Sequence, residues 1–170
     1  MRIVTVNASV SYKILIEKNL LVSSGKHLKD CFGNAKLCIV TDDTVDALYS
    51  STLEASLTSE GLSFIKFVIP HGEASKNAEN LVSLLELMAE SRLTRADAII
   101  ALGGGVVGDL AGFAAGIYLR GIRFAQIPTT LLAMVDSSVG GKTAIDLKAG
   151  KKFGGGLSPT LTCALRPKRA

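Results

Sequence analysis

Residues 98–109 read AIIALGGGVVGD, and this stretch decides the fold. Five apolar residues that end in three glycines predict a buried parallel strand, followed by a turn in which no side chain is tolerated. Apolar residues at helical spacing over 110–118 then predict a helix. Gly103, Gly105 and Gly108 match G-x-G-x-x-G, a pattern that lets a helix N-terminus approach a pyrophosphate. Taken alone this pattern is weak evidence, because any sharp strand-to-helix turn favours glycine.

Strands and helices alternate on both sides of this central unit. The predicted strands are 2–6, 12–16, 36–41, 63–69, 98–102 and 124–127. Helices are predicted over 26–32, 45–59 and 78–91, with glycines or polar residues after them. The first two strands are short and predict a hairpin at a sheet edge. The alternation indicates an α/β fold with a doubly wound, mostly parallel sheet.

Composition narrows the class of protein and of partner. A chain of 170 residues with 48% hydrophobic but only 5% aromatic content and no Trp fits one α/β domain better than a nucleic-acid stacking surface. The net charge of +4 comes largely from basic residues near the end, so no nucleic-acid partner is predicted.

The predicted location is a reducing cytoplasm, without a membrane partner. Cys31, Cys38 and Cys163 have spacings that fit neither a disulfide framework nor a metal cluster. The N-terminus has no hydrophobic segment typical of a signal peptide. Asp109 interrupts the apolar run 98–119, which argues against a membrane span.

Polar side chains follow several of the predicted strands. Ligands of doubly wound sheets lie at the carboxyl ends of the strands, so we expect these side chains to share one crevice. They are Asp42, Glu73, Lys76, Asp109, Thr129 and Thr130. Considered singly, each is as readily explained as a capping or turn residue.

Two features differ from simple nucleotide motifs. The glycine turn lies in the middle of the domain, and no acid follows it by about 20 residues to bind a ribose. Asp42, after an earlier strand, could take that role. Residues 136–143, DSSVGGKT, resemble a P-loop, but that motif requires glycine at the position of Asp136. An ATP-hydrolysing site is therefore not predicted.

Four motifs together resemble the 3-dehydroquinate synthase family over about residues 1–152. They are GGGVVGD (103–109), YLRG (118–121), IPTTLL (127–132) and VDSSVGGKT (135–143). The resemblance implies a Rossmann-like NAD-binding N-terminal domain in a lyase of the shikimate pathway. Such enzymes convert a keto-sugar acid phosphate (DAHP) into 3-dehydroquinate and phosphate, by transient oxidation, phosphate elimination, reduction, ring opening and aldol closure.

The resemblance also assigns roles to individual residues. Cofactor contacts fall on Asp42, Glu73, Lys76, Gly104, Gly105, Val106, Asp109, Thr129, Thr130, Lys142 and Lys151. Substrate contacts fall on Arg120, Asp136, Lys142 and Lys151, of which Asp136, Lys142 and Lys151 are the catalytic candidates. Cations suit a phosphate and a carboxylate, and Asp136 can accept a hydrogen bond from a substrate hydroxyl.

The chain departs from the family after Lys151. Members continue into a helical C-terminal domain that holds a divalent metal, zinc or cobalt, on one Glu and two His, whereas His27 and His71 are the only histidines here. We therefore expect an NAD-binding domain over 1–151 and an aberrant, poorly ordered tail over 152–170, produced by a one-base shift of the reading frame. An engineered fragment and a natural short form are the alternatives. No metal site is expected in this polypeptide, which should be inactive alone and self-associate, as a homodimer, through an exposed apolar face.

Three other functions remain open at this point. Another NAD-dependent sugar phosphate cyclase would share most of these motifs. A metal-dependent alcohol or glycerol dehydrogenase would share the glycine turn, although residues 137–143 favour a phosphorylated substrate. The third alternative is a non-catalytic nucleotide-binding module.

Overall fold

The computed structural model describes residues 1–7, 11–139, 142–147, 150–157 and 160–166, with only the backbone at 142, 147 and 150–166. Within these ranges the strands are Arg2–Val6 (β1), Tyr12–Lys18 (β2), Leu37–Asp42 (β3), Phe64–Ile69 (β4), Ala98–Gly103 (β5), Arg123–Pro128 (β6), Lys142–Leu147 (β7), Gly150–Leu157 (β8) and Thr160–Arg166 (β9). The helices are Ser24–Phe32 (α1), Asp43–Val45 (α2), Ser51–Ser59 (α3), Ala78–Glu90 (α4) and Gly105–Ile117 (α5).

The main sheet has the order β1-β2-β9-β6-β5-β3-β4. Strands β3 to β6 are parallel, and β1 pairs antiparallel with β2 at the edge. The predicted doubly wound sheet and edge hairpin are confirmed. The chain leaves β3 toward β4 on one side and then returns to β5 on the other side of β3. The order of the strands therefore reverses between β3 and β5, where the carboxyl ends of the strands open a crevice.

Apolar residues of the strands alternate between two cores, one on each face of the sheet. Leu37, Ile39 and Ile100 face the core that contains Leu53 and Leu57 of α3. The residues between them, such as Cys38 and Ile99, face α4 and α5. Because both faces are covered, β3 and β5 are apolar almost throughout rather than alternating.

Helix α5 lies in the centre of the second core. Its Leu110, Ala111 and Ala114 are inaccessible to solvent. Gly112 allows close packing, because a Cβ at this position would overlap Thr143 of β7 and lie 3.0 Å from Phe124. Small residues on α5 thus hold the helix between the sheet and the β7–β8 ribbon.

The strands after residue 128 were not predicted from the sequence. Strands β7 and β8 form a separate antiparallel ribbon, and β9 lies between β2 and β6. A tail over 152–170 is expected to be poorly ordered unless it packs by chance, and here its backbone forms most of β8 and all of β9. Without β9, the facing edges of β2 and β6 would carry unpaired N–H and C=O groups, and a parallel strand between them satisfies these groups.

Candidate functional site

The carboxyl ends of four strands form one edge of the crevice. In register, Asp42 pairs with Ile69 on β4, while Gly103 pairs with Pro128 on β6. Thr41 pairs with Leu102, so Asp42 and Gly103 are the next residues on the two sides of the switch point. The structure therefore brings the acid after β3 next to the glycine turn after β5.

The glycine turn leads directly into the N-terminus of α5. Gly104 is the N-cap residue and has no side chain to satisfy the first N–H groups of the helix. Those groups, together with the positive end of the helix dipole, attract anions. A 13-residue helix that begins at the crevice is suited to binding a phosphate oxygen.

The glycines of the turn serve two different purposes. A Cβ on Gly103 would lie 2.6 Å from Val107 Cγ2, and one on Gly108 would lie 2.7 Å from Gln126 Oε1. These two glycines allow α5 to pack on the sheet. Gly104 and Gly105 instead face the segment that follows β6, and their missing side chains leave space at the helix N-terminus.

Asp42 lies half-buried at the end of β3. Its Oδ1 accepts a hydrogen bond of 2.9 Å from the backbone N–H of Val45, so it caps α2. A carboxylate can accept about four hydrogen bonds. The bond from Val45 uses one of these acceptor sites, so Asp42 can also accept from a hydroxyl group of a ligand. The capping role and the predicted ribose role are compatible.

Lys76 is the centre of a cluster of charges beside the turn. Its ammonium donates to Glu73 Oε1 at 2.8 Å and to Asp109 Oδ2 at 3.3 Å, and its side chain is only 4% exposed. Asp146 Oδ1 lies 3.9 Å away, too far for a hydrogen bond. Burial disfavours the charged form, but Glu73 and Asp109 outweigh this effect, so the pKa of Lys76 is raised above its ordinary value.

This geometry leaves one ammonium hydrogen available. Lysine has three N–H donors, and hydrogen bonds to described residues engage two of them. The third can bind an oxygen of a ligand in the crevice. Three carboxylates around one cation also hold Lys76 in a fixed position.

Asp146 was missed by the sequence reasoning. Its backbone N–H donates to Lys76 O at 2.8 Å, and it forms an isolated parallel bridge with Asn77. Strand β7 is thereby attached to the loop that carries Glu73 and Lys76. No local pattern in the sequence indicates this role of Asp146, because Asp146 and Lys76 lie far apart along the chain.

The segment after β6 covers the glycine turn. Thr129 N–H donates to Gly103 O at 3.0 Å, and a Cβ on Gly104 would lie 3.3 Å from Thr130 Cγ2. The exposed Thr130 accepts from Ala133 N–H at 3.2 Å. Thr129 Oγ1 is buried and has no hydrogen-bond partner among the described residues. The hydrogen bond that such a hydroxyl can make is left to water or to a ligand.

The structure does not bring all predicted residues together. Val106 packs its side chain against the second core instead of pointing free into the crevice. Asp136 is exposed in the π-helical turn Ala133–Ser137, one residue before Ser137, which lies beside Gly105. The side chains of Lys142 and Lys151 lie outside the described part of the chain.

Arg120 is placed at the other end of α5. It follows the C-terminus of the helix, in the turn Tyr118–Arg120, with a left-handed φ of 67°. Thirteen helical residues at 1.5 Å each separate it from Gly104 by roughly 20 Å. The described residues therefore do not place Arg120 with the rest of the predicted site.

The described side chains include no group of three or more His, Cys, Asp and Glu suited to a metal ion. His71 lies near the crevice, and its Nδ1 is 2.8 Å from Asp43 Oδ1. In the same part of the chain, none of the helices has the length and apolar character needed to cross a bilayer.

Comparison with known proteins identifies the family. A family model described as 3-dehydroquinate synthase N-terminal matches residues 66–164, more than half of the chain. The chain belongs to the 3-dehydroquinate synthase family. The predicted resemblance and Rossmann-like fold are confirmed.

Two relatives show how much of the family's length the chain represents. It is 48% identical over 145 residues to 3-dehydroquinate synthase of Clostridium acetobutylicum, covering 85% of this chain and 41% of that protein. It is 47% identical to the enzyme of Rhizobium meliloti, and the match covers 86% of this chain and 39% of that enzyme. The chain thus spans about two fifths of the length of these relatives.

Solved structures of sugar cyclases share the fold. A 2-deoxy-scyllo-inosose synthase complexed with carbaglucose-6-phosphate, NAD+ and Co2+ has a TM-score of 0.86 and 25% identity, covering 96% of this chain and 44% of its own. ValA, a 2-epi-5-epi-valiolone synthase from Streptomyces hygroscopicus with NAD+ and Zn2+ bound, has a TM-score of 0.82 and 31% identity. The match covers 95% of this chain and 44% of ValA. A glycerol dehydrogenase from Schizosaccharomyces pombe, at 16% identity and a TM-score of 0.67, shares the fold alone.

Proposed function

We propose that this chain is the dinucleotide-binding part of a 3-dehydroquinate synthase and that it binds NAD at the N-terminus of α5. One observation carries this proposal. The glycine turn opens at the switch point of the sheet, beside a buried Thr129 hydroxyl with no partner among the described residues. The two cyclase structures above, both with NAD+ bound, support the identity of the ligand.

Each predicted cofactor residue has a chemical role in this arrangement. Backbone N–H groups at Gly104 and Gly105 would bind the pyrophosphate, as helix N-termini do in other dinucleotide sites. Asp42 would accept from a ribose hydroxyl, and Lys76 would donate its third hydrogen to a ligand oxygen. Thr129 supplies a hydroxyl beside the glycine turn. Glu73 and Asp109 act through Lys76, which they hold in place.

The reaction that we propose for the whole enzyme is conversion of DAHP into 3-dehydroquinate and phosphate. NAD supplies a hydride acceptor that is regenerated within the cycle. The exposed Asp136 would accept from a substrate hydroxyl, and Lys142 and Lys151 would bind the phosphate and carboxylate. We leave Arg120 out of this set, because α5 separates it from the crevice within one chain.

The proposed metal ligands lie in the remaining length that the relatives have. We propose that the 170-residue polypeptide binds NAD without turning over DAHP, since the zinc or cobalt that activates the substrate would bind elsewhere. The reading-frame shift before residues 152–170 also remains our proposal. Coding DNA whose shifted frame lacks a helical region with one Glu and two His would contradict it.

Isothermal titration of the 170-residue chain with NAD tests the proposed function. We expect saturable binding at millimolar or lower NAD, with heat that disappears when Gly104 is replaced by Asp, since a carboxylate would repel the pyrophosphate. A matched Gly116→Asp variant, at an exposed position near the other end of α5, should bind normally. Absence of saturation up to several millimolar NAD would contradict the proposal.

A sister sugar phosphate cyclase is the second candidate. The observation that supports it is the high structural similarity to the 2-deoxy-scyllo-inosose synthase. The two sequences, however, are only 25% identical. The relatives at 46–48% identity are all named 3-dehydroquinate synthase, which favours DAHP. A turnover assay of the full-length gene product with DAHP and with glucose 6-phosphate separates the two.

A further inference from the structure

Ser137 is a second buried hydroxyl at the glycine turn. Its Oγ is inaccessible to solvent and has no hydrogen-bond partner among the described residues. The neighbouring Ser138 differs, since it takes part in an interaction within the protein. Neither the family motifs nor the sequence patterns assign a role to Ser137.

The position of Ser137 relates it to the N-terminus of α5. A Cβ on Gly105, the first residue of the helix, would lie 3.2 Å from Ser137 Oγ and 3.6 Å from its Cβ. Because Gly105 has no side chain, the Ser137 hydroxyl can lie directly against the first turn of the helix. Thr129 Oγ1, also buried and unpaired in the described structure, belongs to the same segment after β6.

Two orphaned hydroxyls in the segment after β6 need a physical explanation. A buried hydroxyl without a partner costs about 1–3 kcal/mol, and such groups are rare in folded proteins. The uncapped helix N-terminus beside them favours an oxyanion. A hydroxyl can donate its hydrogen to such an oxygen, and the bond is strong because the acceptor is charged.

We propose that Ser137 is a ligand-binding residue that donates a hydrogen bond to a phosphate oxygen held over the N-terminus of α5. This inference rests on the proposed function and adds a residue to its site. The phosphate comes from the dinucleotide pyrophosphate or from the sugar phosphate, and the two sources present the same chemistry to the hydroxyl.

The test compares thermal stability and ligand affinity in Ser137→Ala. Removal of an orphaned hydroxyl leaves the melting temperature of the free protein unchanged or higher, because no bond is lost. Affinity for the ligand whose phosphate Ser137 binds, measured by titration with NAD and with inorganic phosphate, should fall about 10- to 100-fold, the loss expected for a hydrogen bond to a charged group. The matched control is Ser59→Ala on the opposite face of the sheet, where the hydroxyl donates to Ser56 O and affinity should stay constant.

Three probes separate the phosphate sources. If Ser137 binds the pyrophosphate, Ser137→Ala weakens ADP-ribose as much as NAD and leaves inorganic phosphate unaffected. If it binds the sugar phosphate, only the affinity for inorganic phosphate falls. Either result supports the inference.

Three outcomes contradict the inference. A Ser137→Ala variant that melts earlier but binds all three probes like the wild type shows a purely structural role. Wild-type protein that binds none of the probes overturns the inference together with the proposed function, whereas wild-type binding with no effect of Ser137→Ala overturns the inference alone.

Discussion

The two ends of helix α5 differ in how their polar groups are satisfied. At the C-terminal end, Tyr118 Oη donates to Leu93 O at 3.0 Å, and Ile122 N–H donates to Ala115 O at 2.9 Å. At the N-terminal end, Thr129 and Ser137 have buried hydroxyls without partners among the described residues. The protein itself satisfies the polar groups at the first end, whereas we propose that a ligand satisfies those at the second.

This difference separates stability from binding along one helix. Substitutions at the N-terminal end should change ligand affinity, and substitutions at the C-terminal end should change the free energy of unfolding. Each prediction below would break the comparison if the two effects were exchanged.

Lys76→Met should have the largest effect. It removes the buried ammonium that donates to Glu73 and Asp109, so unfolding free energy should fall by about 2–4 kcal/mol and NAD binding should be lost. The pKa of Lys76 is raised in the folded state, so its contribution is full below pH 10.5 and disappears as the pH rises through the higher folded value. Urea unfolding against pH, with and without NAD, measures both effects.

Lys36→Met is the matched control at the amino end of the strands. Lys36 Nζ donates to Ser91 O at 2.9 Å, far from the glycine turn. This variant should lose some stability and keep its NAD affinity. Equal losses of affinity in the two lysine variants would contradict the division of roles.

Gly104→Ala should lower NAD affinity about tenfold, because a methyl group at the helix N-terminus excludes the pyrophosphate. The fold tolerates the change, since φ is −80° and the new Cβ would lie 3.3 Å from the exposed Thr130. Gly116→Ala, in the same helix with open space around its Cβ, should instead raise stability by up to about 1 kcal/mol. Calorimetric titration and thermal unfolding of the pair measure this contrast.

Tyr118→Phe should cost about 1 kcal/mol of stability, because Leu93 O loses its donor in a buried position. NAD affinity should not change. Denaturant unfolding measures the loss of stability, and one NAD titration measures the affinity. A variant with normal stability and weakened binding would show that ligand contacts extend along the whole helix.

Lowering the pH should have the smallest effect on stability, and it acts through Asp97. Burial disfavours the charge on Asp97, but N–H groups of Thr94 and Lys36 outweigh it and hold its pKa below the ordinary value. Asp97 therefore contributes stability above about pH 3.8, and this contribution is lost as the pH falls through the lower folded value. Asp97→Asn should show a flatter acid limb of stability against pH, with unchanged NAD affinity at neutral pH.

Much of this arrangement was predictable from the sequence. Hydrophobic periodicity predicted β1 to β6, α1, α4 and α5 within a few residues, and the order of strands and helices predicted the doubly wound sheet. The crevice followed, because Asp42, Gly104 and Thr129 come directly after strands. The length of α5 could also have shown that Arg120 lies far from Gly104.

The remaining features depend on contacts between distant parts of the chain. Asp146 meets Lys76 across 70 residues, and no local pattern indicates that pairing. Ser137 becomes notable only when its hydroxyl is found buried beside Gly105. Strand β9 fills a gap between β2 and β6 that exists only in the folded sheet. The homodimer and the cytoplasmic location remain predictions.

The central claim is that NAD binds at the N-terminal end of α5, and amide chemical shifts test it most directly. Titration of the 15N-labelled 170-residue chain with NAD should move the amide resonances of Gly104, Gly105 and Thr129 in a saturable way, with Tyr118 and Ile122 unchanged. Saturable shifts centred on Tyr118 and Ile122, or no saturable shifts at the glycine turn, would contradict the account.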